Sequence, residues 1–265
     1  MTPRIVSGLL LFCLVAPTGL PAQTGPESRL NQARDKVNPA ASGFAVVELF
    51  TSEGCSSCPP AEALLAEIAQ HAAAAGEPVY ALAFHVDYWD YLGWKDVFAD
   101  KAFSARQRRY AEVLRSPTIY TPQMVVNGET EFVGSDRRSA RSAIQRALRR
   151  EPAFRLHLTR VSAAGQTPLR VRYRLSAVPK NAVLNLALVE RALVRNIARG
   201  ENAGRTLHHE NVVRRLQVYS VKNPEGQLAL EIPAAVKIPK SSLVAFVQDA
   251  RSLRILAAAA LPLHQ

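Results

Sequence analysis

The sequence predicts an α/β unit over residues 43–150, followed by an all-β, sandwich-like module over residues 151–265. Three observations predict it. Between residues 44 and 150, apolar runs of strand length alternate with amphipathic helical patterns. Beyond Pro152 the pattern changes to short alternating stretches separated by turn signals, with no helical period between them. The composition, 48% hydrophobic and 21% charged, suits a packed globular chain and excludes a disordered one.

Residues 1–42 have a different character. Arg4 precedes the apolar run IVSGLLLFCLVA, and PTGLPAQ follows, with Ala22 as the expected last residue before cleavage. This pattern reads as a secretory leader over 1–22. The run is short for a bilayer span. No later segment is long and apolar enough to provide one, so no transmembrane segment is expected after leader removal. Residues 23–42, with Pro, Gly and Asn and no sustained apolar period, read as a linker. The expected location is therefore secreted or periplasmic. Cys13 leaves with the leader, and Cys55 and Cys58 are the cysteines that stay. In an oxidising compartment such a dithiol can be held as a disulfide. The formal net charge is +11, but the arginines are spread along the chain without interleaved aromatics. That pattern reads as a solvated basic surface, and with export it makes nucleic acid an unexpected partner.

In the α/β unit, FAVVELF (44–50) is a β-rich run. PPAEALLAEIAQHAAAA (59–75) is helical: Leu64, Leu65, Ile68 and Ala72 share a face, and Pro59 and Pro60 fit a first turn. PVYALAFHV (78–86) has the continuous apolar character of a buried parallel strand. The aromatic stretch YWDYLGWKDVFAD is irregular, and FSARQRRYAEVLR (103–115) is a basic helix. QMVVNG (123–128) is a short strand ending in Asn-Gly, a strong hairpin signal, with EFVG (131–134) as its partner. Asp136 caps a last helix carrying Ala140, Ile144 and Leu148 on one stripe. In the second module, AFRLHLTRV, PLRVRYRLS, AVLNLALVERALV, NVVRRLQVYSV, QLALEI and SLVAFVQD read as strands, with NPEG (223–226) a turn.

The chemistry concentrates in TSEGCSSCPP (51–60). Cys55 and Cys58 lie between a buried strand and the start of a helix, where unpaired amides and the macrodipole favour a thiolate. Ser56 and Ser57 are placed to cap or hydrogen-bond it, whereas Glu53 opposes it. Cys55 is then the candidate attacker and Cys58 the resolver. Thr121-Pro122, just before the hairpin, is where a cis proline would bring the Thr121 backbone beside the dithiol and offer pairing groups to a substrate chain. Glu48, seven residues before Cys55, is a candidate to accept or relay the proton of the resolving thiol, or else it ends at the sheet's polar rim or in a salt bridge.

Strand, CSSC opening a helix, strand, helix, Thr-Pro, hairpin and helix is an order that resembles the thioredoxin fold. The segments VVELFTSEGCSSCPPAEALL, FHVDYWDYLGWKDVFA, YTPQMVVNG, FVGSD and GENAGRTLHHENVVR are similar to a family of secreted thioredoxin-like proteins catalogued only as a domain of unknown function. The resemblance runs from about residue 44 to near the C-terminus. It implies a thioredoxin-like domain with an appended β module and brings no substrate with it. This chain has no proline inside its C-x-x-C, and it carries a longer aromatic insertion than ordinary thioredoxins.

Three readings of the cysteines stand side by side. The first is thiol–disulfide oxidoreductase chemistry on protein or peptide thiols and disulfides, with no cofactor beyond the dithiol. The second is copper binding or delivery by Cys55, Cys58 and His85, since two thiolates and an imidazole suit a soft metal. The third is a non-catalytic binding module stapled by a structural disulfide. The aromatic loop HVDYWDYLGW reads either as a cover over the site or as a self-packed surface loop. In GRTLHHENVVR, His208 and His209 point opposite ways on a strand, so the pair is a poor chelate and better suited to an interface.

Overall fold

The computed structural model describes Met1, residues 43–162 and residues 166–263; the expected leader (1–22), its Cys13 and the linker (23–42) lie outside the described residues. The first strand, β1 (Ala45–Thr51), is buried at every position. Helices on both sides explain this. Val47 and Leu49 face α1 (Pro59–Ala75) and α3 (Arg137–Arg149), while Val46 and Phe50 face α2 (Lys101–Leu114). Helix α1 begins with two prolines, whose missing amides cost nothing in a first turn, and ends at Gly76 in the left-handed region. Asp100 caps α2 by accepting from Ala102, and Asp136 caps α3 by accepting from Ser139.

Strand β2 (Val79–His85) pairs parallel with β1, which sets His85 opposite Thr51. A 3-10 turn over Asp87–Leu92 opens the aromatic stretch. Strands β3 (Gln123–Val126) and β4 (Thr130–Val133) form the expected hairpin. Asn127 and Gly128 both take positive φ, 51° and 67°, as a type I′ turn requires. Gly128 has a second constraint: a Cβ there would sit 1.9 Å from the Leu253 carbonyl oxygen. Gly128→Ala is therefore expected to cost about 3 kcal/mol in urea unfolding, through left-handed strain and overpacking together. A loss of a few tenths would show that this turn tolerates both.

The second half contributes β5 (Leu156–Arg160), β6 (Leu169–Leu175), β7 (Ala182–Glu190), β8 (Leu193–Asn196), β9 (Thr206–His209), β10 (Val212–Ser220), β11 (Glu225–Leu230), β12 (Ser241–Asp249) and β13 (Ile255–Pro262). Among these, β13 is a strand the sequence patterns do not announce, β9 is announced only through its histidine pair, and the single run expected over 182–194 divides into β7 and β8. The small sheet β11-β6-β5 packs sandwich-fashion on the inner residues of β7, β12 and β13, including Leu184, Leu186, Leu243 and Val247.

The larger sheet does not stop at the expected boundary near residue 150. Its order is β13-β12-β7-β10-β2-β1-β3-β4, one mixed α/β sheet of eight strands drawn from both halves. The joint is a parallel pairing of Val212 with Ala83, supported by a 2.8 Å bond from the Ala83 amide to the Asn211 carbonyl. Unpaired, β2 would present an open strand edge, and β10 covers it. Helix α2 packs over the joint: Phe103 and Tyr110 share one core with Phe84 of β2, Val213 of β10 and Phe246 of β12.

Candidate functional site

Cys55 and Cys58 form a disulfide with their Cα atoms 5.5 Å apart, at the N-terminus of α1. Cys58 is the N-cap residue, and its carbonyl accepts from the amides of Ala61 and Glu62. No side chain caps this helix; Ser57 Oγ instead lies 3.3 Å from Cys55 Sγ. The sulfurs thus sit at the positive end of a 17-residue helix, the favourable place for a leaving or attacking thiolate. Both cysteines are fully buried, while Ser56 and Ser57 between them are exposed.

The connection between β8 and β9 fastens onto this loop. Asn202, itself buried, donates from Nδ2 to the carbonyls of Glu53 and Cys55, each at 2.9 Å. Glu201 accepts from the Ser56 amide at 2.9 Å and the Ser56 hydroxyl at 2.7 Å. The aromatic stretch packs on the other flank. Trp89 lies against Gly54, and its indole N–H donates to Thr121 Oγ1 at 2.7 Å. Trp94 donates to Glu53 Oε2 at 2.7 Å. The loop is therefore bound to the site on at least two sides, and Tyr91 is its exposed aromatic.

Beneath the loop lies a buried charge cluster. Thr51 Oγ1 donates to Glu62 Oε1 at 2.6 Å, and Glu62 Oε2 is 2.5 Å from His209 Nδ1. His209 Nε2 lies 3.4 Å from Glu53 Oε1, within ion-pair range but outside hydrogen-bond geometry. Arg195 Nε donates to the same Glu53 oxygen at 3.2 Å. His85 Nδ1 is 2.7 Å from Asp96 Oδ2, and Asp96 also accepts from the amides of Glu53 and Phe98. Burial alone would lower the His209 pKa, but the carboxylates of Glu53 and Glu62 outweigh it and push it up to about 10. Burial raises the Glu62 pKa, yet His209, His85 and Thr51 together hold it below the usual carboxylate value. Asp96 is likewise held low against its burial, by His85 and two backbone amides.

The residues expected from the sequence divide into two groups. Thr121-Pro122 is cis, and Trp89 links Thr121 to the loop that carries Cys55. His85 reaches the cluster under the loop. Glu48 goes elsewhere. Alternation along β1 places it on the α2 side of the sheet, where Arg106 grips it through Nε (2.6 Å) and Nη2 (3.0 Å), and Tyr110 donates to it at 2.6 Å. It is thus on the sheet face opposite α1, saturated by partners of its own. His85 of the copper set lies in the cluster with Glu62 and His209. The sulfurs are bonded to each other, and among the described residues the group able to converge on a metal ion is Glu62, His85 and His209. Glu62, Asp96, Arg195 and Asn202 carry no sequence-local signal of their role, apart from the one-turn spacing of Glu62 from Cys58. They meet through β1, α1, the aromatic stretch and the β8–β9 hairpin.

Among solved structures, the chain is similar to protein AGR_C_4864 from Agrobacterium tumefaciens. The identity is 26%, the TM-score 0.63, and the match covers 86% of this chain and 97% of that one. A domain of the outer membrane lipoprotein Omp28 from Porphyromonas gingivalis is a distant neighbour, with 15% identity and a TM-score of 0.23 over 41% of this chain and 93% of that one. No curated protein matches. The family described as protein of unknown function DUF1223 matches residues 46–248, most of the chain including every residue of the site above, and the chain belongs to that family.

Proposed function

We propose that this protein is an exported thiol–disulfide oxidoreductase on a thioredoxin-like fold, with Cys55–Cys58 as its exchanging pair and protein or peptide thiols as its substrates. The observation that carries the reading is the disulfide itself, closed across a C-x-x-C at a helix N-terminus. The strand order β2-β1-β3-β4 with helices on both faces, and the cis Thr121-Pro122 tied to the loop through Trp89, support it. In the oxidising direction, a substrate thiolate attacks Cys55 Sγ. The Cys55–Cys58 bond breaks, the electron pair goes to Cys58, and Cys58 takes up a proton. A second substrate thiolate then attacks the substrate sulfur of the mixed disulfide and releases Cys55. The substrate dithiol loses two electrons and two protons, and the protein gains them; the reducing direction is the reverse. The backbone of Thr121 aligns the substrate chain, and the dithiol carries the electrons without an organic cofactor.

A glutathione redox titration of the exported chain, read by alkylation and mass, tests this. A reversible two-electron transition between about −120 and −270 mV is expected. Cys58→Ser should accumulate mixed disulfides at Cys55. A pair that stays oxidised far below that window is a structural staple, and the redox reading falls.

A further inference from the structure

We propose that Glu62, His85 and His209 form a binding site for one divalent transition-metal ion of borderline hardness, such as zinc, beneath the Cys55–Cys58 loop. The proposal does not depend on the redox reading. The three donor atoms lie within 4.8 Å of one another, and all three residues are buried. Zinc sits about 2.0–2.2 Å from nitrogen and carboxylate oxygen ligands, so the donors need to close by roughly an ångström.

A buried imidazole nitrogen points to a ligand independently of that grouping. His85 is fully buried, and its Nε2 has no hydrogen-bond partner among the described residues. Its other nitrogen faces Asp96, a carboxylate that only accepts, so Nδ1 carries the proton and Nε2 presents a lone pair. A metal-ligating histidine is commonly held by a carboxylate in this way. His209 Nε2 also makes no hydrogen bond, although it lies 3.4 Å from Glu53 Oε1, and the two rings stand edge to face with centroids 5.1 Å apart. An unpartnered buried nitrogen is costly, and His85 Nε2 needs an explanation.

Charge balance favours the same answer. Glu53, Glu62 and Asp96 are three buried carboxylates, and Arg195 answers one of them. One divalent cation held by the three donors would balance the remaining two negative charges. Two histidines and a glutamate are a donor set zinc accepts, with a fourth position left for water or for Glu53. The ligands come from α1, β2 and β9, so the ion would join the C-x-x-C helix to the hairpin whose connection covers it.

The test uses the exported full-length chain, stripped with chelator and kept oxidised, then equilibrated with zinc and measured by elemental analysis and thermal melting. One bound equivalent is expected, with a rise in Tm that chelator reverses. Asp96→Asn should weaken zinc binding roughly 10–100-fold by unfastening His85. His85→Asn, His209→Gln and Glu62→Gln should each weaken it more than that. Cobalt substitution should give ligand-field bands without thiolate charge transfer, and Cys55→Ser/Cys58→Ser should bind as the parent does. Absence of both a stoichiometric ion and a Tm shift in the parent chain overturns the proposal, and this readout does not depend on how any variant folds. Binding that survives His85→Asn/His209→Gln, or that requires the cysteines, also overturns it.

Discussion

Arg106→Met is expected to lower the free energy of unfolding by about 3–5 kcal/mol, the cost of leaving one partner of a buried ion pair alone. Glu48 is fully buried in β1, and Arg106 supplies both of its charge-assisted bonds. Arg106 also donates to Gln248 of β12 at 3.1 Å, and its guanidinium lies 5.1 Å from the Tyr110 ring centroid and 5.3 Å from that of Phe246. The side chain therefore joins α2 to strands from both halves of the sheet. Methionine keeps much of the volume and removes the charge. Glu48→Gln/Arg106→Met should recover most of the loss, because the amide still accepts from Tyr110 and no uncompensated charge remains. Urea unfolding of the parent, both single variants and the double variant gives the coupling directly. Losses that simply add would show that the pair is not an energetic unit.

Asn202→Ala is expected to raise the alkylation rate of Cys55 in the reduced protein by roughly 30–140-fold. Asn202 contributes two buried hydrogen bonds to the carbonyls of Glu53 and Cys55. At about 1–1.5 kcal/mol each they hold the segment closed by about 2–3 kcal/mol, and 1.4 kcal/mol is a factor of ten. Both cysteines are buried, so a reagent reaches them in proportion to the open population when reclosing outpaces the reaction. Glu201→Gln, which keeps an acceptor at an exposed position, should change the rate by less than about threefold. The denaturant dependence of the rate separates local opening from global unfolding. An unchanged rate in Asn202→Ala would mean that this segment does not limit access to the disulfide.

Much of the local structure was legible because it is written in short-range chemistry. Helix α1 is specified by its prolines, its apolar stripe and Gly76; α3 by Asp136; and the β3–β4 hairpin by Asn127-Gly128. The C-x-x-C spacing announced a pair within disulfide reach. The alternation rule set His208 and His209 on opposite sides of a strand, and in β9 His208 is exposed and His209 buried. Strand β13 was not announced, because ILAAAALP alternates side-chain size weakly and has no polar partner positions to mark a face.

What only the tertiary structure decided is set by contacts between residues far apart in the chain. The pairing of β10 with the edge of β2 merges two expected modules into one sheet, and a strand's own sequence does not name its neighbour. The side of β1 that each residue faces sends Glu48 to Arg106 and Tyr110 while Thr51 meets Glu62, although the two lie three residues apart in one strand. The cluster beneath the disulfide unites residues 53, 62, 85, 96 and 209. Glu62 and Asp96 alone read as ordinary polar side chains, and nothing local joins them to Glu53, His85 and His209. Burial gives their charges consequence: in a dry interior a carboxylate or imidazole must find a partner, and Glu53 and Glu62 find theirs in Arg195 and His209, more than 140 residues away.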